Sequence, residues 1–559
     1  MINLDSLQQL VDLGESLERE FKSDRVRLSD KDIVEEIVAM ANTNGGVLLI
    51  GVEDDGRISG ANPRHGRVTD PLKLQSTIFN RTVPNINTRV STNQHPDGTV
   101  ITIEVDPYPE PCATTSGKSL KRAIGPDGKP QTVPFYPRDQ RSRRIDLGML
   151  DMSALTIESS SFNDLDPLEF ERVRQTIYRL KGDPALQELA DDDLAKALRL
   201  VESRDGSLVP NLAGLLLLGK EERLRELIPT HQVFFQALDV EGNVKVNDEF
   251  YGPVVKVLNE LEARFSARNE EREVLVGFVR VPVPDYSPEG FREALNNALL
   301  HRDYNLLGPV YVQWQPDHLI ITNPGGFLPG ITISNILVHE PKQRNPRLAE
   351  SFRRIGLVEQ TGRGVDKIFR GQARYGRPLP DYTRSDNTGV RVVLRGGSPS
   401  LEFAAFVYGQ EKKGTPLTLD ELIILNTLFF ERRIDSGSVG EILQKGINEG
   451  KAVLEKLVER GFVEAKGEKK GRIYHLSAQL YRLFGDASSY VRVHGISALK
   501  HEALVMEFVE GHGRIARKDA INLCGISEDQ AKRLLQILVK KGRLSRKVSR
   551  GRASHYEKS

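Results

Sequence analysis

Apolar residues recur at helical spacing within residues 291–304, FREALNNALLHRDY, and they predict a helix with one buried face. Ser287 can accept a backbone hydrogen bond as the N-cap residue, and Pro288 suits the first helical position. We therefore expect a helix that begins at Pro288 and packs one face against the core of a domain.

A second helical pattern follows Ser29, where the sequence is typical of a capping box. Apolar residues recur at helical spacing over residues 33–41, and a double-glycine turn at residues 45–46 ends the pattern. Residues 47–52 form a continuous apolar run, which predicts a buried strand, and the acidic residues 53–55 then turn the chain. Helix, turn and strand together predict the core of an N-terminal domain.

The middle of the chain divides by composition into three parts. Residues 152–210 carry helical patterns and predict a connector. An apolar run at residues 213–218, which fits either a strand or a buried helix, leads into a domain over residues 211–395. Residues 396–415 begin with glycine, serine and proline and have the composition of a linker.

Two modules with the same plan follow, at residues 416–485 and 495–559. Each pattern predicts three helices and a basic hairpin, which is the plan of a winged helix. In the second module the basic residues concentrate on the third helix and the hairpin, as a surface that faces phosphates requires. The alternative is a protein-binding winged helix whose charges only keep it soluble. The candidate nucleic-acid-binding residues of this module are Lys532, Arg533, Lys540, Lys541, Arg546, Lys547, Arg550 and Arg552.

The 559 residues are enough for three or four domains, and the mixture of helices and strands predicts an α+β multidomain fold whose first domain spans residues 1–151. A formal net charge of +1 means that any nucleic-acid surface has to be local. Cys112 and Cys524 lie far apart in sequence, which argues against a disulfide framework and a structural zinc site. Without a basic leader or an apolar run of membrane-spanning length, we expect a cytoplasmic protein with no membrane partner.

Glu293 and Asn297 lie four residues apart in the first predicted helix and project from a common face. A carboxylate can orient or deprotonate a water molecule, and an amide oxygen one turn later can hold a hard cation that bridges phosphate oxygens. The pair therefore predicts a magnesium and water site. The alternative is an ordinary solvated helix face, on which this pair also occurs.

Two glycine turns follow that helix. The apolar run at residues 319–322 ends in Asn323-Pro324-Gly325-Gly326, and Thr361-Gly362-Arg363-Gly364 comes later. Glycine lets the backbone approach phosphates and present its N–H groups to them. This order of motifs, within residues 211–394, resembles the GHKL ATPase fold in the divergent form of bacterial RecG-like or Schlafen-like transcriptional regulators.

The resemblance implies ATP and Mg²⁺ as cofactors. Glu293 would be the base for ATP hydrolysis and Asn297 the magnesium ligand. Asn323 replaces the adenine-reading aspartate that is typical of the first glycine box, which leaves adenine specificity and hydrolysis open. The nucleotide-binding residues that the resemblance implies are Asn297, Asn323, Gly325, Gly326, Gly362, Arg363 and Gly364.

The N-terminal order of helix, double-glycine turn, strand and acidic turn resembles the Schlafen AlbA-like domain, over about residues 14–151. The resemblance implies nucleic-acid binding. In eukaryotic Schlafens the corresponding core can be a metal-dependent RNA endonuclease with two glutamates and an aspartate. Here these would be Glu15, Glu20 and Asp54, with Glu53 and Asp55 as competing assignments for the aspartate. Mg²⁺ or Mn²⁺ held by three carboxylates can activate water against a phosphodiester.

Two further interpretations of the N-terminal domain concern exposed charge. Glu20 fits an edge strand whose charges lie in solvent, which is the alternative to a catalytic role. Lys118, Lys121 and Arg122 predict a basic loop that touches a nucleic-acid backbone, or else a plain solvated turn.

The leading hypothesis is an ATP-binding, nucleic-acid-binding transcriptional regulator in which nucleotide binding switches the arrangement of DNA- or RNA-binding domains. The alternative is a nucleotide-gated, metal-dependent ribonuclease that cleaves tRNA or other RNA, with a role in phage defence. Analogy with GHKL proteins and winged helices also predicts a homo-oligomer.

Overall fold

The computed structural model describes residues 4–358, 364–396, 400–466, 472–484, 498–524, 528–547 and 555–558. No described helix is long and apolar enough to cross a membrane. The architecture is a mixture of helices and sheets in several units, as the sequence predicts.

The N-terminal unit is built on a four-stranded sheet with the strand order β1-β2-β5-β4. β1 pairs with β2 in parallel, and the other pairs are antiparallel. Its strands are β1 (Arg19–Lys22), β2 (Gly46–Ile50), β3 (Thr82–Val83), β4 (Thr88–His95), β5 (Gly98–Val105), β6 (Ala113–Thr114), β7 (Leu120–Ile124) and β8 (Pro130–Pro134). Its helices are α1 (Leu4–Asp12), α2 (Asp30–Ala41), α3 (Pro71–Asn80) and α4 (Pro137–Asp146).

α2 is the helix that the pattern after Ser29 predicts. The side chain of Ser29 accepts a hydrogen bond from the N–H of Asp32 at 3.1 Å and caps the helix. Its apolar face packs with β2 and β5 in one buried cluster. The double-glycine turn and the buried strand after it are likewise confirmed, because β2 follows directly.

Residues 152–284 form helices, two hairpins and the first strands of a second sheet. The apolar run at residues 213–218 is a buried helix, which resolves the choice between helix and strand. The elements are α5 (Pro167–Leu180), α6 (Asp191–Ala197), β9 (Val201–Arg204), β10 (Ser207–Pro210), α7 (Leu212–Leu218), α8 (Glu221–Leu227), β11 (Val233–Leu238), β12 (Val244–Phe250), α9 (Val254–Arg268), β13 (Glu271–Val276) and β14 (Val279–Pro284).

The second sheet has five strands in the order β12-β11-β15-β16-β17. β11 and β15 are parallel, and the other neighbours are antiparallel. The remaining elements of this unit are α10 (Pro288–Leu300), β15 (Val310–Trp314), β16 (His318–Pro324), α11 (Pro346–Ile355), α12 (Gly364–Ala373) and β17 (Gly389–Arg395). One hydrophobic core runs from Leu165 to Tyr481 and joins the connector, this sheet and the next module.

The C-terminal part contains two units with the same order of elements. In each, one strand follows the first of three helices, and two strands follow the third; the sheet orders are β18-β20-β19 and β21-β23-β22. Before the first unit lies α13 (Leu401–Lys412), a helix with buried residues within 396–415, where the composition predicts a linker instead. The first unit then has α14 (Leu419–Glu431), β18 (Ile434–Asp435), α15 (Val439–Leu443), α16 (Ile447–Glu459), β19 (Val463–Lys466) and β20 (Ile473–Leu476), and α17 (Ala478–Leu483) follows these elements. The second has α18 (Ala498–His512), β21 (Arg514–Ala516), α19 (Arg517–Cys524), α20 (Glu528–Lys540), β22 (Leu544–Lys547) and β23 (His555–Lys558).

A buried histidine makes the stability of the central unit depend on pH. His231 is 1% exposed, and its Nε2 lies 3.0 Å from the carbonyl oxygen of Gly252. Burial, with a smaller contribution from Arg302, lowers its pKa to about 4. At pH values between about 6.5, the usual pKa of histidine, and about 4, the histidine is protonated in the unfolded chain but not in the folded protein. Stability therefore falls as the pH falls through this window.

Lowering the pH from 7 to 5 is expected to reduce the free energy of unfolding by about 2 kcal/mol through His231 alone. The measurement is urea unfolding at both pH values for the natural protein and for His231→Gln, which has no titratable group there. The variant should lose less stability over this range. Equal losses in the two proteins would show that His231 does not cause the pH dependence.

Candidate functional site

A cavity of about 390 Å³ lies beside α10. β16, β17 and α12 form its walls, and residues 326–344 cover it. α10 begins as expected, since Ser287 accepts a hydrogen bond from the N–H of Gly290 at 3.2 Å. Glu293 and Asn297 both line the cavity, so the structure brings together the two residues that the helical spacing pairs.

Glu293 is 7% exposed and packs against the start of α12. A Cβ atom added to Gly364 would lie 2.1 Å from the Oε1 atom of Glu293. A side chain at residue 364 would therefore force the carboxylate of Glu293 to move. Burial, together with the charge of Glu293, raises the pKa of Tyr382, which also lines the cavity.

The cavity is lined by apolar side chains and by charged and polar ones. Lys342 and Lys367 supply positive charge, Glu293, Glu340 and Asp366 supply negative charge, and Asn297 supplies an amide oxygen. The apolar residues on its walls include Ile321, Phe327, Leu328, Ile331, Ile336, Val390 and Val392. Flat apolar ligands suit the apolar walls, while the lysines and the amide oxygen suit phosphate and a hydrated cation.

Arg344 lines the cavity, is 1% exposed and fixes several neighbouring groups through hydrogen bonds. Its Nε donates to Oδ1 of Asp146 at 2.8 Å, and its Nη2 donates to the carbonyl oxygen of Gly326 at 2.8 Å. Its Nη1 donates to the carbonyl oxygen of His301 at 2.5 Å. Asp146 is the last residue of α4, so this arginine connects the cavity to the N-terminal unit. Sequence reasoning did not assign this role to Arg344.

Residues 327–343, here called the cover segment, also contact the first C-terminal unit. The side chain of Gln444 accepts a hydrogen bond from the N–H of Leu337 at 2.8 Å and donates one to the carbonyl oxygen of Ile333 at 2.9 Å. Gln444 ends α15 in the left-handed conformation, with φ of 57°, just before α16. The cover segment is thus attached to the turn between two helices of that unit.

Glu20 and Asp54 both lie close enough to Glu15 to affect its pKa. Burial raises the pKa of Glu15, the N–H of Phe21 opposes this, and the negative charges of Glu20 and Asp54 raise the pKa further. Within the described ranges, no group of three or more His, Cys, Asp or Glu side chains is arranged to hold a metal ion. The assignment of these carboxylates to a nuclease site stays a prediction.

Glu20 is 6% exposed, which contradicts the interpretation of an edge strand with its charges in solvent. Its Oε1 pairs with Lys22 at 2.5 Å and its Oε2 with Arg122 at 2.5 Å. Glu36 pairs with the same two cations, at 3.1 Å and 3.4 Å. The four side chains form a compact network in which the two carboxylates and the two cations balance.

Comparison with known families finds three matches in separate parts of the chain. The family described as "Schlafen, AlbA_2" matches residues 15–128. The family described as "Putative ATP-dependent DNA helicase recG C-terminal", a HATPase family, matches residues 308–394. The chain therefore combines a Schlafen AlbA_2 domain with a RecG C-terminal-like HATPase domain. A domain of unknown function, DUF8451, matches residues 143–234, between the two.

Solved structures resemble this chain, and one of them resembles it over its whole length. The DIP2311 protein of Corynebacterium diphtheriae has a TM-score of 0.50 and 22% sequence identity, and the match covers 100% of this chain and 99% of that chain. The N-terminal domain of a RecG-related protein from Nitrosomonas europaea has 22% identity over 21% of this chain and 88% of that chain, but its TM-score of 0.16 carries no argument. No curated protein matches the chain.

In the HATPase domain, the structure corrects the role expected of Gly325. Its N–H donates to the carbonyl oxygen of Thr388 at 2.8 Å and does not face the cavity. Its φ is +94°, and an added Cβ would lie 2.5 Å from Nη1 of Arg344, so close packing requires the glycine. Gly326 and Asn323 do line the cavity. Gly362 and Arg363 lie outside the described residues.

In the Schlafen AlbA_2 domain, the prediction that Arg122 touches a nucleic-acid backbone is wrong. Arg122 lies on β7, its side chain is 0% exposed, and it pairs with Glu20 and Glu36. Lys118 and Lys121 are accessible but paired, with Glu35 at 2.8 Å and with Asp139 at 3.0 Å. The predicted basic loop is therefore largely neutralised by the domain's own acids.

The basic residues predicted on the last unit are mostly exposed. Lys541 pairs with Glu502 at 2.7 Å. The side chains exposed on α20, on β22 and between them include Lys532, Arg533, Lys540, Lys541, Arg546 and Lys547. Arg550 and Arg552 lie outside the described residues. A nucleic-acid role for this surface stays a prediction.

Proposed function

We propose that the chain is a nucleic-acid-binding regulatory protein in which ATP in the HATPase cavity switches the arrangement of the nucleic-acid-binding domains. The observation that carries this proposal is the pair of connections at the cavity. Arg344 joins the cavity to α4 of the N-terminal unit, the helix that follows the Schlafen AlbA_2 match, and Gln444 joins the cover segment to the first C-terminal unit. A ligand that moves either connection favours one arrangement of these domains over another.

The residues around the cavity fit ATP with Mg²⁺. The apolar walls suit an adenine ring, with Asn323 at the edge of β16 beside it. Asn297 and Glu293 are one amide and one carboxylate, and Mg²⁺ in phosphate sites usually takes only one or two protein ligands besides water and phosphate oxygens. When bound, Mg²⁺ would bridge and neutralise phosphate oxygens. Glu293 would orient a water molecule, and Lys342 and Lys367 would attract the phosphates.

Both C-terminal units have the element order and sheet order of winged helices. In this proposal the third helix of each, α16 and α20, enters the major groove of DNA. The basic residues of the second unit then contact phosphates. Gln444 lies in the short turn before α16, three residues ahead of its first residue, so movement of the cover segment would change the position of a helix that reads nucleic acid.

Replacing Gln444 by asparagine tests the switch. Asparagine tolerates the left-handed backbone but is one methylene shorter, so it loses the bonds to the cover segment without backbone strain. In the natural protein, saturating ATP is expected to change nucleic-acid affinity at least fivefold, a typical coupling. In Gln444→Asn this ratio should approach one, while the affinity for ATP alone remains. Fluorescence anisotropy with and without MgATP measures the ratio.

The neighbouring substitution Lys445→Ala is the control, because Lys445 lies beside Gln444 but pairs with Asp420 and not with the cover segment. It should keep the natural ratio. If Gln444→Asn keeps the ratio as well, Gln444 does not transmit the effect of the nucleotide. If ATP does not alter nucleic-acid affinity even in the natural protein, the switch itself is wrong.

A second candidate function, a metal-dependent ribonuclease, is supported by the three neighbouring carboxylates around Glu15. Asp54→Asn is the better test, because Asp54 is exposed, whereas a change at Glu20 would disturb the partner of the buried Arg122. The assay is cleavage of labelled tRNA in the presence of Mg²⁺ or Mn²⁺. Cleavage by the natural protein and by Asp127→Asn, but not by Asp54→Asn, would establish a nuclease. If the natural protein does not cleave tRNA, the nuclease function is wrong and only the regulatory function remains as a proposal.

We also retain the homo-oligomer as a proposal. The hairpin of β13 and β14 carries Phe278 fully exposed at its turn and Leu275 at 65% exposure, which offers apolar surface to a second copy. Mass photometry of the natural protein and of Phe278→Ser is the measurement. Only monomer in both would contradict the proposal.

A further inference from the structure

A second cavity, of about 380 Å³, lies in the N-terminal unit beside α4, where residues 110–111 of the Schlafen AlbA_2 match meet residues 137–150 that follow it. Its walls include the apolar side chains of Pro111, Pro137 and Met149, the guanidinium groups of Arg141 and Arg144, and the carboxylate of Glu110. It is separate from the HATPase cavity. No catalytic or structural role described above uses these residues.

α4 carries positive charge that its own domain does not neutralise. Its two acids are engaged elsewhere, Asp139 with Lys121 at 3.0 Å and Asp146 with Arg344 at 2.8 Å. Arg143 donates to the carbonyl oxygens of Ala41 and Tyr108 and so ties the helix to the domain.

Arg138, Arg141 and Arg144 are exposed, and none forms an ion pair with another described residue. They follow one another at intervals of three residues, which places them along one side of the helix over about 9 Å. Like charges at this spacing destabilise a helix slightly. An anionic ligand would remove that repulsion, and three consecutive guanidinium groups suit successive phosphates.

The cavity adds a place for a base. Its apolar walls suit the faces of a nucleobase, and Glu110 can accept a hydrogen bond from an exocyclic amino group, as carboxylates do with cytosine. Tyr136, the residue before α4, is 62% exposed and offers a ring on which a neighbouring base can stack. A base in a duplex is paired and stacked and so does not enter such a cavity.

We propose that α4 and this cavity form a binding site for single-stranded nucleic acid, in which one base occupies the cavity and the adjacent phosphates contact Arg138, Arg141 and Arg144. The inference rests on the proposed nucleic-acid-binding function and names the surface and the strand type. In the N-terminal unit, this surface takes the role of nucleic-acid contact that the sequence assigns to the basic loop around Arg122, whose side chain is buried. Because Asp146 ends the same helix, the strand lies on the helix that Arg344 attaches to the HATPase cavity.

The test is binding of the full chain to labelled 12-nucleotide single strands of DNA and RNA and to a 12-base-pair duplex, by fluorescence anisotropy over a salt series. The double variant Arg141→Ala/Arg144→Ala is expected to bind single strands at least tenfold more weakly. Its slope of log affinity against log salt should be shallower by about 1.4, the loss of two phosphate contacts on a single strand. Duplex binding should change little, since the last C-terminal unit supplies it.

Arg67→Ala is the matched control, because Arg67 is an exposed arginine of the same domain away from α4. It should bind single strands nearly as the natural protein does. Glu110→Gln tests the cavity separately: it should reduce the preference for cytosine-rich over thymine-rich strands while the salt slope stays the same. Melting temperatures of all variants should match, because the substituted side chains are exposed.

Several outcomes overturn the site. If the double variant binds single strands with natural affinity and slope, α4 does not contact them, although the proposed function stands as long as the natural protein binds nucleic acid. If free cytidine monophosphate competes as well as the 12-nucleotide strand, the site takes mononucleotides instead. If the natural protein binds neither strands nor duplex, the proposed function fails together with the site.

Discussion

Arg344→Met is expected to lower the free energy of unfolding by about 3–5 kcal/mol. The substitution removes a buried cation and leaves the carboxylate of Asp146 without its partner. Burial already raises the pKa of Asp146, and Arg344 opposes that increase, so the carboxylate would become costly to keep charged. The carbonyl oxygens of His301 and Gly326 would lose their donor as well.

Urea unfolding followed by tryptophan fluorescence measures this loss, because Trp314 is the single tryptophan and lies on β15 in the same unit. Arg353→Met is the control, an exposed arginine on the neighbouring α11. It should change stability by less than about 0.5 kcal/mol. Similar small effects of both substitutions would mean that the Arg344 contacts are not a main support of the cavity.

Asn297→Ala is expected to weaken magnesium-dependent ATP binding at least tenfold. The substitution removes the amide oxygen that holds Mg²⁺ in the proposed site, and with it the bridge to the phosphates. Without Mg²⁺, the natural protein and the variant should bind ATP with similar, weak affinity. Isothermal titration calorimetry with and without Mg²⁺ provides both comparisons.

Asn259→Ala is a close control, since Asn259 is also a half-buried asparagine, lies on α9 and does not line the HATPase cavity. It should bind MgATP as the natural protein does. If Asn297→Ala binds MgATP as tightly as the natural protein does, Asn297 is not a ligand of the metal. No MgATP binding by the natural protein would contradict the proposed cofactor.

The parts of the fold that local chemistry determines could be predicted. Ser287, Pro288 and the apolar spacing after them are sufficient to place α10, and the same spacing puts Glu293 and Asn297 on one face. The resemblances to Schlafen AlbA-like and RecG-like domains are confirmed for the same reason, because each depends on short motifs within continuous stretches. The order of helices and strands in the C-terminal units is likewise visible in the sequence.

Buried charges could not be predicted, because their partners are distant in sequence. Arg122 pairs with residues more than eighty positions earlier, and no local pattern distinguishes it from the accessible Lys121 beside it. Arg344 reaches Asp146 across 198 positions. Gly325 is a similar case. The motif predicts that this glycine faces a phosphate, but the close contact with Arg344 is a second reason for a glycine at this position, and the sequence does not show it. In each case the sequence gives the residue, but the role of its side chain depends on tertiary contacts with residues that are distant in sequence.

The strands β16 and β17 are neighbours in the sheet, although residues 325–388 lie between them in the chain. Seven residue pairs, from His318 with Arg395 to Pro324 with Gly389, fix the two ends of this connection. Within it, the hydrogen bond from Nη2 of Arg344 to the carbonyl oxygen of Gly326 brings together the two ends of the cover segment. The entropic cost of closing a loop grows only slowly with its length. The cover segment can therefore gain or lose residues over evolutionary time while the sheet stays unchanged, so descendants of one scaffold can acquire cavities of different size and select different ligands.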